Sequence, residues 1–157
     1  MNPAIIFLDL DGVLHPVDYL SFKTVNGELV LSGDARLCWA NILWQLIESY
    51  HCVLVVHSSW RHSYSLADIR AFMPIGLRGR VVGVTKGDSR YDGILCYVQE
   101  EKPSAYIILD DMNDEFPQSC PELLLCDSKS GVSDKGIQAA LIEFLTSNSQ
   151  PFLLANQ

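Results

Sequence analysis

Short, wholly apolar runs alternate along the chain with segments of helical spacing. Residues 4–8 (AIIFL), 52–56 (CVLVV), 81–84 (VVGV), 105–109 (AYIIL) and 123–126 (LLLC) read as strands. Four of these runs have no polar position at all, the pattern of strands covered on both faces. Residues 22–25 and 28–31 flank Asn26-Gly27, a pair that favours a two-residue hairpin turn. Residues 34–50 predict a long helix, because Leu37, Ala40, Trp44 and Ile47 recur at three- and four-residue spacing. Residues 65–73 predict a short helix, with Ser65 and Asp68 at capping-box spacing and Pro74 beyond it. Two more helices are predicted over residues 88–101, weakened by Gly93, and over residues 133–146, capped by Ser133. Strands alternating with helices specify a three-layer, doubly wound α/β domain on a mainly parallel sheet. Residues 1–147 read as one domain and residues 148–157 as a C-terminal tail, with Pro151 unable to continue a helix.

Composition narrows the class. The 157 residues are 48% hydrophobic and 19% charged, which excludes a disordered chain. With 11 basic and 19 acidic residues the net charge is −8. Such a surface repels phosphate backbones, so non-specific nucleic-acid binding is not expected. An anionic substrate would need a metal or a few well-placed cations. The apolar run at residues 4–8 is stopped by Asp9, too short for a membrane span or a signal core. The five cysteines are odd in number and show no CxxC spacing. They read as reduced thiols, which places the expected location in the cytoplasm.

In a doubly wound fold the functional crevice lies beyond the carboxyl ends of the strands. The residues found there are Asp9-Leu10-Asp11-Gly12, His57-Ser58-Ser59-Trp60-Arg61, Thr85-Lys86-Gly87-Asp88-Ser89-Arg90 and Asp110-Asp111-Met112-Asn113-Asp114. Period two puts Asp9 and Asp11 on one side of an extended chain. Two carboxylates about 4 Å apart repel by roughly 4 kcal/mol at an effective dielectric near 20, so the site calls for a cation or a proton. Ligands that are all oxygen favour a hard ion, Mg2+ foremost. An EF-hand reading fails, because Phe7 stands where that loop needs an oxygen ligand. A solvated turn is an adequate account of either acidic pair alone, but not of two pairs that each directly follow a buried strand.

These residues carry a resemblance. Phe7-Leu8-Asp9-Leu10-Asp11-Gly12-Val13-Leu14 resembles the first motif, a strand followed by DxDG, of the haloacid dehalogenase (HAD) superfamily. His57-Ser58-Ser59-Trp60-Arg61 is similar to a small subgroup in which a Ser or Thr precedes Trp-Arg by two positions, which makes Ser58 the second-motif hydroxyl. Ile107-Ile108-Leu109-Asp110-Asp111 resembles the fourth motif in its DD form. Both Lys86 and Arg90 qualify as the third-motif cation. Gly12-Val13-Leu14-His15-Pro16, Trp60-Arg61 and Gly131-Val132-Ser133 resemble in particular the small HAD domains of Swiss-army-knife RNA repair proteins.

The resemblance implies a HAD-like Rossmannoid fold and a Mg2+-dependent phosphatase working through an aspartyl-phosphate. Asp9 would be the nucleophile and Asp11 the general acid and base. Asp9, Asp110, Asp111 and the backbone carbonyl of Asp11 would surround the metal. Ser58 with Lys86 or Arg90 would complete the catalytic set, and Gly12, Ser58, Ser59 and Arg61 would contact the phosphate. Asp11 in place of an apolar residue favours phosphate-ester over haloacid chemistry. The alternative function is a catalytically quiet binding module of the same fold. Arg61 is equally readable as structural, His57 as a packed histidine, and His15 as either a pocket or a turn residue. No cap-sized insertion is present, so the site should be open, with the hairpin as a flap and a minimal cap. Such a site suits a phosphorylated small molecule or the terminal phosphate of a larger one. Neither a membrane partner nor an oligomeric state is implied.

Overall fold

The computed structural model describes residues 2–152. Its centre is a five-stranded parallel sheet of β1 (Ala4–Leu8), β4 (Cys52–Val56), β5 (Val81–Val84), β6 (Tyr106–Asp110) and β7 (Leu123–Leu125). The spatial order is β5-β4-β1-β6-β7. From β1 the chain winds outward through β4 to β5, then crosses to the other side of β1 for β6 and β7. The winding reverses between β1 and β6, and the general rule for such folds puts a ligand site beyond the carboxyl ends of these two strands.

Strand alternation assigns each residue to a layer. Ala4, Ile6 and Leu8 of β1, with Leu54, Val56 and Leu109, pack against α1 (Ala40–Ile47), α2 (Leu66–Phe72), α3 (Ile75–Arg78) and α5 (Lys135–Asn148). Ile5 and Phe7, with Val55 and Ile108, face α4 (Arg90–Glu101) through Ile94, Tyr97 and Val98. Because both faces are covered, β1 is buried at every position, which is why it lacks polar residues.

The hairpin of β2 (Leu20–Val25) and β3 (Glu28–Asp34) stands between β1 and α1 in sequence. Asn26 and Gly27 both take positive φ, 51° and 80°, as a two-residue hairpin turn of matching twist requires. Phe22, Leu29 and Leu31 on it are exposed.

Three sequence expectations are corrected. The helix predicted over residues 34–50 is confined to Ala40–Ile47. Leu37 takes φ 54°, and its N–H bonds to His15 Nδ1 rather than to a helical carbonyl. The apolar spacing there marks burial over a looser turn. The last helix is capped by Asp134, whose side chain accepts from Ile137 N–H, and not by Ser133. Gly93, read as a weakness in α4, permits a close approach: a Cβ there would stand 2.6 Å from the Lys86 carbonyl oxygen. The capping box of α2 forms as read, with Ser65 and Asp68 bonded reciprocally.

α5 runs through Asn148, into the segment read as tail. Pro151 then pairs with Tyr50, and the Phe152 ring lies 4.8 Å from the Arg80 guanidinium carbon. Residues 153–157 of that tail lie outside the described residues. Among the described residues all five cysteines are unpaired, and no helix is long and apolar enough to cross a membrane.

The Asp134 cap yields a stability test. Asp134→Ala should lower the unfolding free energy by about 1 kcal/mol, whereas Asp134→Asn, which keeps an acceptor, should retain most of it. Urea denaturation of the two variants measures the difference.

Candidate active site

Strand register builds the site. Leu8 lies beside Val56 on one side and Leu109 on the other, so the next residues, Asp9, His57 and Asp110, leave the sheet side by side. Asp9 N–H donates to Leu109 O at 3.0 Å and His57 N–H to Leu8 O at 3.1 Å, which extends the pairing by one rung. All three residues share the parity of Phe7, Val55 and Ile108 and therefore turn toward the α4 layer. The first residue of α4 is Arg90. Ser89 caps the helix by accepting from Asp92 N–H, and Gly93 lets it settle on the loop after β5. Arg90 Nη1 consequently sits 2.9 Å from Asp9 Oδ2 and donates to Asp110 Oδ2 at 2.7 Å.

Asp110 is the most heavily bonded carboxylate. His57 Nε2 meets the same Oδ2 at 2.7 Å, and Oδ1 accepts from Met112 N–H at 2.8 Å. Burial works against its charge, but His57 and Arg90 outweigh it and hold the carboxyl below its usual range. Asp9 is different. Its Oδ1 accepts from Leu10 N–H at 2.9 Å, but its buried Oδ2 has no hydrogen-bond partner, the Arg90 contact being an ion pair out of line for one. Burial, then the Asp110 charge, raises its pKa. The Asp111 carboxyl is pushed up to about 7 by burial and by the charges of Asp9 and Asp110.

Carboxylate oxygens of Asp9, Asp110 and Asp111 lie within 4.8 Å of one another. Each charged pair at that separation costs roughly 3.5 kcal/mol at an effective dielectric near 20. Arg90 alone does not balance three such charges, and with burial this raises the Asp111 pKa. An all-oxygen set with an unpartnered buried oxygen and excess negative charge fits a hard divalent cation.

Asp11 stands apart from this trio. Extended geometry would keep it beside Asp9, but the chain turns after Leu10, with Val13 and Leu14 N–H both donating to Leu10 O. Gly12 takes φ 75° in this turn. Asp11 Oδ1 meets His15 Nε2 at 2.7 Å and Oδ2 accepts from Trp60 Nε1 at 3.1 Å. Burial raises its pKa, and the bonds from His15 and Trp60 more than offset that, so it lies below the usual value.

The remaining predicted residues divide. Ser58 is buried, and its Oγ accepts from Trp60 N–H at 3.3 Å, leaving its own O–H free to donate. Ser59 is exposed. Arg61 was open to a phosphate-binding role, but its guanidinium is committed to backbone. Nη1 donates to His57 O and Ser58 O, and Nη2 to Gly87 O, tying the loop after β4 to the loop after β5. Lys86 is exposed and forms no ion pair among the described residues, so Arg90 is the cation that faces the carboxylates. Sequence reasoning undervalued His57. The signal was available: two residues beyond Val55, it shares the face of Asp9 and Asp110.

Gly12 provides a test of the carboxylate arrangement. A Cβ at this position would land on the Asp111 carboxylate, and φ 75° disfavours any side chain. Gly12→Ala should displace Asp111 and weaken Mg2+ binding by roughly 10- to 100-fold, the usual cost of disturbing a residue that orients a ligand. Calorimetric Mg2+ titration, with circular dichroism to verify folding, measures this.

The family model described as the HAD domain in Swiss Army Knife RNA repair proteins matches residues 5–137, from β1 into the start of α5. No match was found among curated proteins or among solved structures. The strand order and the matched span together place this chain in the haloacid dehalogenase superfamily, as a member of the family of HAD domains of Swiss Army Knife RNA repair proteins.

Proposed function

We propose that this chain is a Mg2+-dependent phosphomonoesterase that forms an aspartyl-phosphate on Asp9. The carrying observation is the carboxylate trio, whose oxygens lie within 4.8 Å of one another with Arg90 as the facing cation. Asp9, Asp111 and the backbone carbonyl of Asp11 would hold the ion, with Asp110 beside them. When bound, it supplies the positive charge that lets a carboxylate approach a phosphate dianion.

One Asp9 carboxylate oxygen attacks phosphorus, and the bond from phosphorus to the leaving oxygen breaks. Asp11 gives its proton to that oxygen. In the second step water attacks the phosphoenzyme, its proton passes to Asp11, and the bond between Asp9 and phosphorus breaks. Asp11 is thereby reset as an acid. The bonds from His15 and Trp60 favour its carboxylate form, the base that the second step uses. Ser58 O–H and Arg90 bind phosphoryl oxygens, while His57 holds Asp110 in place.

The loop between β5 and α4, residues 85–89, carries no cap, and the hairpin is the one insertion after β1. Such openness suits a terminal phosphate on a large substrate. The RNA repair proteins of the family make a nucleic-acid end a candidate, read at its terminus and not along its backbone, given the net charge of −8.

The test is rapid-quench turnover of an aryl phosphate. Wild-type protein should lose turnover on chelation of Mg2+ and regain it on addition. Asp9→Asn should form no phosphoenzyme. Asp11→Asn should still form one but turn over about 10² to 10⁴ times more slowly, the range for general acid–base catalysis. Absence of turnover in wild-type protein across phosphorylated metabolites and oligonucleotide ends would favour a binding module instead.

The cation assignment has its own test. Arg90→Gln should lower kcat by about 10² to 10³, the loss typical of one preorganised charge donor. Lys86→Gln should change kcat less than twofold. Equal losses would return Lys86 to the site.

A further inference from the structure

His15 is fully buried, and both ring nitrogens are engaged. Leu37 N–H donates to Nδ1 at 3.1 Å. A backbone N–H can only donate, so Nδ1 carries a lone pair and the ring proton resides on Nε2. Nε2 must therefore donate to Asp11 Oδ1, at 2.7 Å. The ring is neutral and held in one tautomer. Its centroid lies 4.3 Å from that of Tyr19 and 5.6 Å from that of Trp60, so neighbouring rings restrict its rotation. Trp60 in turn donates to the other Asp11 oxygen.

We propose that His15 is a positioning residue for proton transfer: by donating from Nε2 it fixes the Asp11 carboxyl in the orientation that delivers a proton to the leaving-group oxygen. This rests on the acid–base reading of Asp11. The Asp11 side chain is 35% exposed, so it is not fixed by packing on all sides. Without its two donors it would be free to sample other staggered rotamers and spend less time in the productive one. Leu37 and Tyr19 bracket the β-hairpin in sequence, so the contacts that set the His15 tautomer and ring plane come from the two roots of the flap.

Two substitutions separate the two nitrogens. His15→Gln keeps a donor near the Nε2 position, whereas His15→Asn keeps only an acceptor near Nδ1. The measurement is kcat/KM, which reports the steps through release of the leaving group, for 4-nitrophenyl phosphate and glycerol 2-phosphate. The first leaving group departs without a proton and the second needs one. His15→Asn should lower kcat/KM for glycerol 2-phosphate by about 10- to 100-fold, the scale of a misplaced catalytic group, and that for 4-nitrophenyl phosphate less than threefold. His15→Gln should recover most of the loss. Adding Asp11→Asn to His15→Asn should give no loss beyond that of Asp11→Asn alone.

Equal losses for the two substrates, or equal behaviour of the Gln and Asn variants, overturn the proposal, because a merely structural histidine would act alike on both esters. If Asp11→Asn alone discriminates between the substrates and His15→Asn does not, the positioning role fails while the acid–base reading stands. If Asp11→Asn itself fails to discriminate, the acid–base reading fails, and with it the role of His15.

Discussion

Mutual repulsion among the Asp9, Asp110 and Asp111 carboxylates, whose oxygens lie within 4.8 Å of one another, governs the arrangement around them. Buried charge of one sign is tolerated only when something of the other sign is brought to it. Arg90 is brought by the start of α4, and α4 reaches its seat because Gly93 has no Cβ to strike the Lys86 carbonyl. The register between β1 and β4 adds a hydrogen-bond partner, His57, to Asp110. The part left uncompensated appears in Asp111, pushed up to about 7, and in the unpartnered Asp9 Oδ2. That residual negative charge is what leaves the cluster suited to a hard cation.

The sheet makes that concentration of charge compatible with a stable core. β1 is the central strand, covered on both faces and paired on both edges, so its end is anchored from every side. Parity then decides which side of the sheet each functional group serves. Asp9, His57 and Asp110 extend the apolar stripe that faces α4, and a stripe that packs Phe7 and Ile108 becomes a stripe of chemistry one rung later. Asp11 escapes the parity rule because Gly12 turns the chain, and it is then held by a separate set of donors, His15 and Trp60. Asp9 and Asp11 are thus held by different parts of the fold, Asp9 by Leu10 N–H and Arg90 and Asp11 by His15 and Trp60.

The apolar pattern identified the five strands and the doubly wound class, because burial on both faces leaves no room for polar residues in a strand, while the Asn26-Gly27 pair identified the hairpin. The same pattern singled out Asp9, Asp11, Asp110 and Asp111, since a solvated turn accounts for one acidic pair after a buried strand but not for two. Capping chemistry placed Ser65 with Asp68 correctly but misassigned the cap of α5, where Ser133 and Asp134 are adjacent and both suitable.

What remained open depended on distances between elements remote in sequence. Lys86 and Arg90 are equally good cations on paper. The choice follows from the approach of α4 to the sheet, which points Arg90 inward and leaves Lys86 exposed. Arg61 has the chemistry of a phosphate ligand but is spent on three backbone carbonyls. The helix foreseen from residue 34 is cut short at Leu37, whose φ of 54° no α-helix contains and whose N–H bonds to His15, 22 residues earlier. Local sequence determined which segments are buried and which groups lie at their ends, since both follow from periodicity and short-range sterics. Only the tertiary structure decided which of those groups meet, because that is set by strand register, by the seat of one helix, and by hydrogen bonds that no sequence spacing encodes.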